Sequence, residues 1–256
     1  MSSSEWQQSG KEKNMHNVYE KRPILFAVLW IVIYCFVMAP IRGNYGDASL
    51  AMLLGLLAFT VGIIVFVKIC GIKEACGLAG WPNEMKKFLF FLPMWILATG
   101  NLWDGFALSY QGLPLLCATV SMILVGFVEE MIFRGFLFKA ILAKGRPVVA
   151  VIISALTFGM GHIVNLFTGQ ATIDTVLQMV FAVSWGFILT MVFYKSGSLL
   201  PGIIAHAMID VFSLYGADDP FIDRIYIVVT IAVAVFYCIY LARVKTGTDR
   251  REMEIG

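Results

Sequence analysis

The chain has 256 residues, 59% hydrophobic and only 14% charged, with a mean hydropathy of +0.82. Soluble domains run at roughly 45–50% apolar, so this composition excludes a soluble globular protein and reads as an all-α, polytopic integral membrane helical bundle. A net charge of +2 gives no basis for nucleic-acid binding, and five scattered cysteines without ligand spacing read as small buried hydrophobes.

The polar head, residues 1–22, includes His16 and is too long, too acidic and too amide-rich to open a secretory signal peptide. The first apolar run is therefore expected to stay in the membrane. Windows long enough for a bilayer of roughly 30 Å, about 20 helical residues, run over 24–41, 48–69, 88–109, 113–142, 148–167, 174–194, 198–214 and 222–243. They predict about eight transmembrane helices. Pro93, Gly100, Asn101 and Asp104 interrupt the third, which is expected to be kinked or broken, with Asp104 at a helix end or polar pocket. The connection before it, with Trp81, Pro82, Lys86 and Lys87, reads as a short interfacial helix near 70–87. Trp30, Trp95, Trp103 and Trp185 read as interface belt or packing.

Lys and Arg alternate between the connections as cytoplasmic loops require. They gather in the N-terminal head, after the second, fourth and sixth windows, and in the C-terminal tail, leaving only Arg42 and Arg224 on the opposite side and Arg134 inside a span. Both termini are thus expected in the cytoplasm of a multi-pass cell-membrane protein.

The stretch VEEMIFRGFL, residues 128–137, puts three charges into the fourth window. Each ionised residue near a bilayer centre costs about 2.5–3.5 kcal/mol, so the charges call for partners or a function. Glu130 and Arg134 are four apart and share a helix face, where they can pair. Glu129 lies about 100° round the helix from Glu130 and has no obvious intrahelical partner. An unpaired carboxylate out of bulk water is a candidate general base or metal ligand. His162 lies in FGMGH in the fifth window, and His206 lies in the seventh, four residues before Asp210, which could hold its imidazole in one tautomer. Glu, His, His and Asp on three separate spans are the ingredients of a water-activating site in a helical bundle.

The ordered set Glu129-Glu130-x-x-x-Arg134, Phe158-x-x-x-His162 and His206-x-x-x-Asp210 resembles the CAAX protease and bacteriocin-processing (Abi) family of intramembrane endopeptidases. The resemblance covers roughly residues 113–214 and implies that these motifs meet in a membrane cavity where water is activated to cut a peptide bond. It divides the chain into a polar cytoplasmic segment (1–22), N-terminal membrane helices (23–112), a catalytic core (113–214) and a last helix with a basic cytoplasmic tail (215–256). It makes Glu129 the general base, assisted by His162, with His206 and Asp210 binding a metal or stabilising the oxyanion. Glu130 and Arg134 would hold the geometry, and Arg134 could also meet a substrate carboxylate; Phe158 would support the site. The eukaryotic enzymes carry Asn where this chain has Asp210, which shifts that residue toward orienting His206 or holding a metal. His-Glu-x-x-His is absent. Glu129, His162, His206 and Asp210 could still ligate zinc as a metalloprotease does, and a metal-free glutamate mechanism is the equal alternative. The implied partners are lipid and a membrane-associated peptide or protein substrate, reaching a site between the cytoplasmic side and the midplane from the cytosol or sideways from lipid. Rival readings are a non-proteolytic membrane scaffold or bacteriocin-immunity protein, and a proton-coupled transporter.

Overall fold

A computed structural model describes residues 19–82, 84–168 and 170–246. His16, most of the polar head and the basic tail after 246 lie outside the described residues. Among the described residues, six helices are long and apolar enough to cross a bilayer: α1 (Pro23–Tyr45), α2 (Leu50–Cys70), α4 (Gly112–Leu142), α5 (Pro147–Leu166), α6 (Thr172–Ser196) and α8 (Pro220–Arg243). The other two windows form shorter helices, α3 (Leu92–Ala98) and α7 (Leu200–Phe212). Of the eight expected passes, six coincide with helices of spanning length among the described residues, while α7, at about 1.5 Å per residue, is only about 20 Å long and α3 is shorter still.

The third window still runs the length of the bundle. The Tyr237 hydroxyl donates to the Phe88 carbonyl (2.8 Å) and the Tyr226 hydroxyl to the Leu97 carbonyl (2.9 Å), so residues 88–97 lie antiparallel along α8. What breaks the helix is a run of three left-handed residues, Leu89, Phe90 and Phe91, at φ +52°, +51° and +59°. That conformation costs L-residues roughly 1–2 kcal/mol each. It is held by the Trp95 indole donating to the Phe90 carbonyl (3.0 Å) and by the stacked, buried rings of Phe88 and Phe91. The interfacial helix expected near 70–87 is instead a series of turns followed by a 3-10 segment from Met85. Gly71 and Gly77, at φ +65° and +77°, turn the chain where a helix would need negative φ.

The passes give the bundle two chemically different ends. At the basic end, Leu199 N–H donates to Gly77 O (2.8 Å) and the Ser198 hydroxyl to Gly80 O (2.6 Å), near Lys195 and the Lys144–Arg146 turn. At the other end, Ala107 and Ser109 pair with Tyr215 and Leu214, and the Asp219 N–H donates to Asp104. Apolar side chains cover the outside, Phe36 and Phe236 being about three-quarters exposed (77% and 73%), as a lipid-facing surface requires.

Inside, helices touch through glycines, the usual device where lipid gives no hydrophobic drive to association. A Cβ on Gly126 would lie 2.8 Å from the Ala207 backbone N, so α4 and α7 meet backbone to backbone. Gly159 faces the Val183 and Met179 backbone across the α5–α6 seam, and Gly186 faces that of Ala155. Gly126→Ala should lower the thermal midpoint of the detergent-solubilised protein by an overpacking cost of about 1–3 kcal/mol. Gly62→Ala, whose nearest neighbour is the Trp30 ring at 3.7 Å, should leave it unchanged.

Candidate active site

α4 does not stay a regular α-helix through its charged stretch. From Met131 to Phe138 it widens into a π-helical segment whose every side chain is buried, a distortion common at functional sites. Glu130 and Arg134 are wholly buried there, and Arg134 Nη1 donates to Glu130 Oε1 at 2.8 Å. The guanidinium has further partners on α6, donating from Nε to the Thr190 hydroxyl (3.3 Å) and from Nη2 to the Gly186 carbonyl (3.4 Å). Its carbon sits 4.2 Å from the Phe158 ring centroid, within cation–π range. The Ser154 hydroxyl donates to the Phe133 carbonyl (3.0 Å), tying α5 to the widened turn.

Glu130 also reaches α7. Its Oε1 accepts from His206 Nδ1 at 3.0 Å, so Glu130 orients the imidazole that the sequence spacing assigns to Asp210. Asp210 instead faces the other ring nitrogen: His206 Nε2 lies 3.5 Å from Asp210 Oδ2 and 3.9 Å from Glu129 Oε2. The structure thus brings Glu129, Glu130, His206 and Asp210 together around one imidazole.

Glu129 has no partner within its own helix, and its partner across the bundle is one the sequence reading missed. The Tyr34 hydroxyl on α1 donates to Glu129 Oε1 at 2.9 Å, with the phenol ring edge-on to Phe59. The signal was faint: Tyr34 is the only hydroxyl-bearing side chain in the apolar window 24–41. Thr190, Ser154 and Arg42 were missed as well, because nothing in a single hydrophobic run says which helix it will face.

Phe158 stands between the histidines, edge-on to His162 (6.0 Å) and His206 (5.3 Å). His162 falls just after α5 tightens to 3-10 geometry at Gly161. It shares with Glu129 and Phe158 the walls of two cavities. The smaller, about 50 Å³, lies against α1 at Tyr34 and Met38. The larger, about 220 Å³, takes in Glu129, His162, His206 and Asp210 and is walled on the α6 side by Trp185, which is 2% exposed and so packs inside the bundle rather than in an interface belt. Arg42 lines both cavities and pairs with Asp47 (2.7 Å).

Among the described residues no three His, Cys, Asp or Glu side chains are grouped as the ligands of a metal ion. Glu129, His162, His206 and Asp210 share the wall of the larger cavity, and no step below is routed through a metal.

The Glu130–Arg134 pair should be costly to halve. Arg134→Ala leaves a buried carboxylate with one cationic partner fewer, and breaking a buried pair costs about 3–5 kcal/mol. Detergent-solubilised Arg134→Ala should therefore unfold at lower temperature than wild type and accumulate less, and an unchanged midpoint would rule out the structural pair.

Residues 111–212 match a family model described as type II CAAX prenyl endopeptidase Rce1-like. No curated protein matches the chain. The matched stretch runs from the start of α4 to the end of α7 and contains Glu129, Glu130, Arg134, Phe158, His162, His206 and Asp210. Tyr34 and Arg42 lie outside it. Through this stretch, somewhat under half of the chain, the protein is similar to the CAAX protease family.

Proposed function

We propose that this chain is an intramembrane endopeptidase that hydrolyses a peptide bond of a membrane-associated protein or peptide with water activated by Glu129. The observation that carries this reading is the setting of one carboxylate: Glu129 is held through Oε1 by Tyr34, while Oε2 faces His206 Nε2 at 3.9 Å across a cavity of about 220 Å³. The family supports a protease-type enzyme, and the residues supply a glutamate mechanism.

In this mechanism a cavity water gives a proton to Glu129 Oε2 as its oxygen attacks the scissile carbonyl. His162, on the same cavity wall, orients that water. The carbonyl oxygen becomes an oxyanion that accepts from His206 Nε2–H, while Nδ1–H is held by Glu130 and the Asp210 carboxylate balances the imidazolium. As the tetrahedral intermediate collapses, Glu129 returns its proton to the leaving amine, and the C–N bond breaks. Arg134 holds Glu130 in place through its 2.8 Å hydrogen bond, so it acts through Glu130 rather than on the substrate. This reading takes the chain as a cell-membrane protein with both termini in the cytoplasm, an orientation that the Lys and Arg distribution supports.

The decisive comparison is of protein termini in membranes from cells making wild type or Glu129→Gln at matched levels. Termini present only with wild type identify substrates; identical termini overturn the peptidase and favour a non-proteolytic scaffold. Once a substrate is in hand, Tyr34→Phe should lower kcat about tenfold, the order of one hydrogen bond to a charged group at about 1.5–3 kcal/mol, with KM within about twofold. Parallel loss of kcat and folded protein would make Tyr34 merely structural.

A further inference from the structure

A groove on the outside of the bundle shares no lining residue with the two catalytic cavities. α1 and α5 stand on either side of the last turns of α4 and leave about 370 Å³ between them. The floor is Leu137 and Ile141 of α4, both buried. The walls are rows at helical spacing, Ile24, Val28 and Ile31 on α1 and Val149 and Ile153 on α5. Every one of these side chains is aliphatic. Val28, Val149 and Ile153 are 41%, 40% and 38% exposed, so the groove faces outward, where lipid surrounds a bundle of this kind.

The two ends of the groove differ. At the inner end the Thr157 hydroxyl is taken by carbonyls of its own helix, those of Ile153 (2.6 Å) and Ser154 (3.2 Å), so it adds no unsatisfied donor to the apolar slot. From Val149 to Thr157 the slot is about 12 Å long, at about 1.5 Å per residue. At the outer end stand Lys144 and Arg146, in the turn that joins α4 to α5. Both are exposed, and among the described residues neither pairs with a carboxylate, whereas Arg42, Lys87 and Arg134 each do. Lys21 and Arg22, exposed just before Ile24, add two positive charges at that end against Glu20.

An aliphatic slot that ends on two unpaired cations matches a molecule with an apolar chain and an anionic head. We propose that the groove binds an anionic phospholipid, with one acyl chain between α1 and α5 and the phosphate on Lys144 and Arg146, in the leaflet that borders their turn. A zwitterionic lipid offers the same chain but brings a cation of its own beside Lys144 and Arg146. The charge pattern therefore selects the acidic headgroup. The position also gives the lipid a consequence for the fold. α1 carries Tyr34, and α5 carries Phe158 and His162, to the walls of the smaller cavity. A chain seated in the groove bridges these two helices, and a ligand of the native state stabilises it by mass action.

The test is a lipid titration of the purified, detergent-solubilised full chain, read by native mass spectrometry, with phosphatidylglycerol and phosphatidylcholine of identical acyl chains. Wild type should bind phosphatidylglycerol about tenfold more tightly than phosphatidylcholine, and the combined Lys144→Gln and Arg146→Gln variant should bind phosphatidylglycerol about thirtyfold more weakly than wild type, the order of two cations at an acidic headgroup. Its phosphatidylcholine binding should be unchanged. Ile153→Trp, which sets a ring into the slot from an outward-facing position, should weaken binding of both lipids. The glutamine variant, altered only at exposed positions, decides the matter if the tryptophan variant does not fold. Equal affinity of wild type for the two lipids, undiminished phosphatidylglycerol binding by the glutamine variant, displacement of bound lipid by inorganic phosphate, or a dimer that forms in place of the lipid complex each overturns the proposal. Lipid binding is read without turnover and whichever side of the membrane the turn faces.

Discussion

One carboxylate ties the catalytic half of the bundle together. Glu130, without exposure, accepts from Arg134 on its own helix and from His206 on α7, and Arg134 in turn reaches Thr190 and Gly186 on α6 and the ring of Phe158 on α5. Four helices converge on a single buried ion pair. Such a pair contributes little net stability, because desolvation offsets the attraction, but it penalises every arrangement in which one partner is missing. In a membrane, where apolar faces do not discriminate among neighbours, that penalty fixes which helices meet and in what register.

Close packing around the pair follows from the same need. Hydrogen bonds of about 3 Å between helices require backbones that approach closely, and Gly126, Gly159 and Gly186 each remove a side chain where α4, α5, α6 and α7 cross. The π-helical widening of α4 begins one residue after Glu130, and Ser154 bonds its Phe133 carbonyl. The buried pair is thus enclosed by packing, while Glu129, one residue away, stands at the wall of a cavity.

The division of labour between the two adjacent glutamates comes from their surroundings. Glu130 has Arg134 and His206 and no room for water. Glu129 has a phenol on one oxygen and a cavity before the other. Two identical side chains one residue apart, rotated to different faces of a helix, become a structural anchor and a candidate base.

The membrane class, the helical passes and the Glu130–Arg134 pair were legible in the sequence, because apolar run length and i, i+4 spacing are local properties of one chain segment. The isolation of Glu129 within its helix followed from the same periodicity, and the three spaced motifs pointed to the CAAX protease family. Local pattern could not reveal the break at Leu89–Phe91, where Tyr237 and Trp95 hold a conformation that the residues themselves disfavour. Nor could it show that Glu130 rather than Asp210 orients His206, since spacing on one helix says nothing of a carboxylate on another. Tyr34 reached Glu129, and the cavities acquired their walls, only when the helices were laid side by side. Periodicity fixes the face on which a side chain stands; the facing helix, and therefore the chemistry, is decided by packing between segments far apart in the chain.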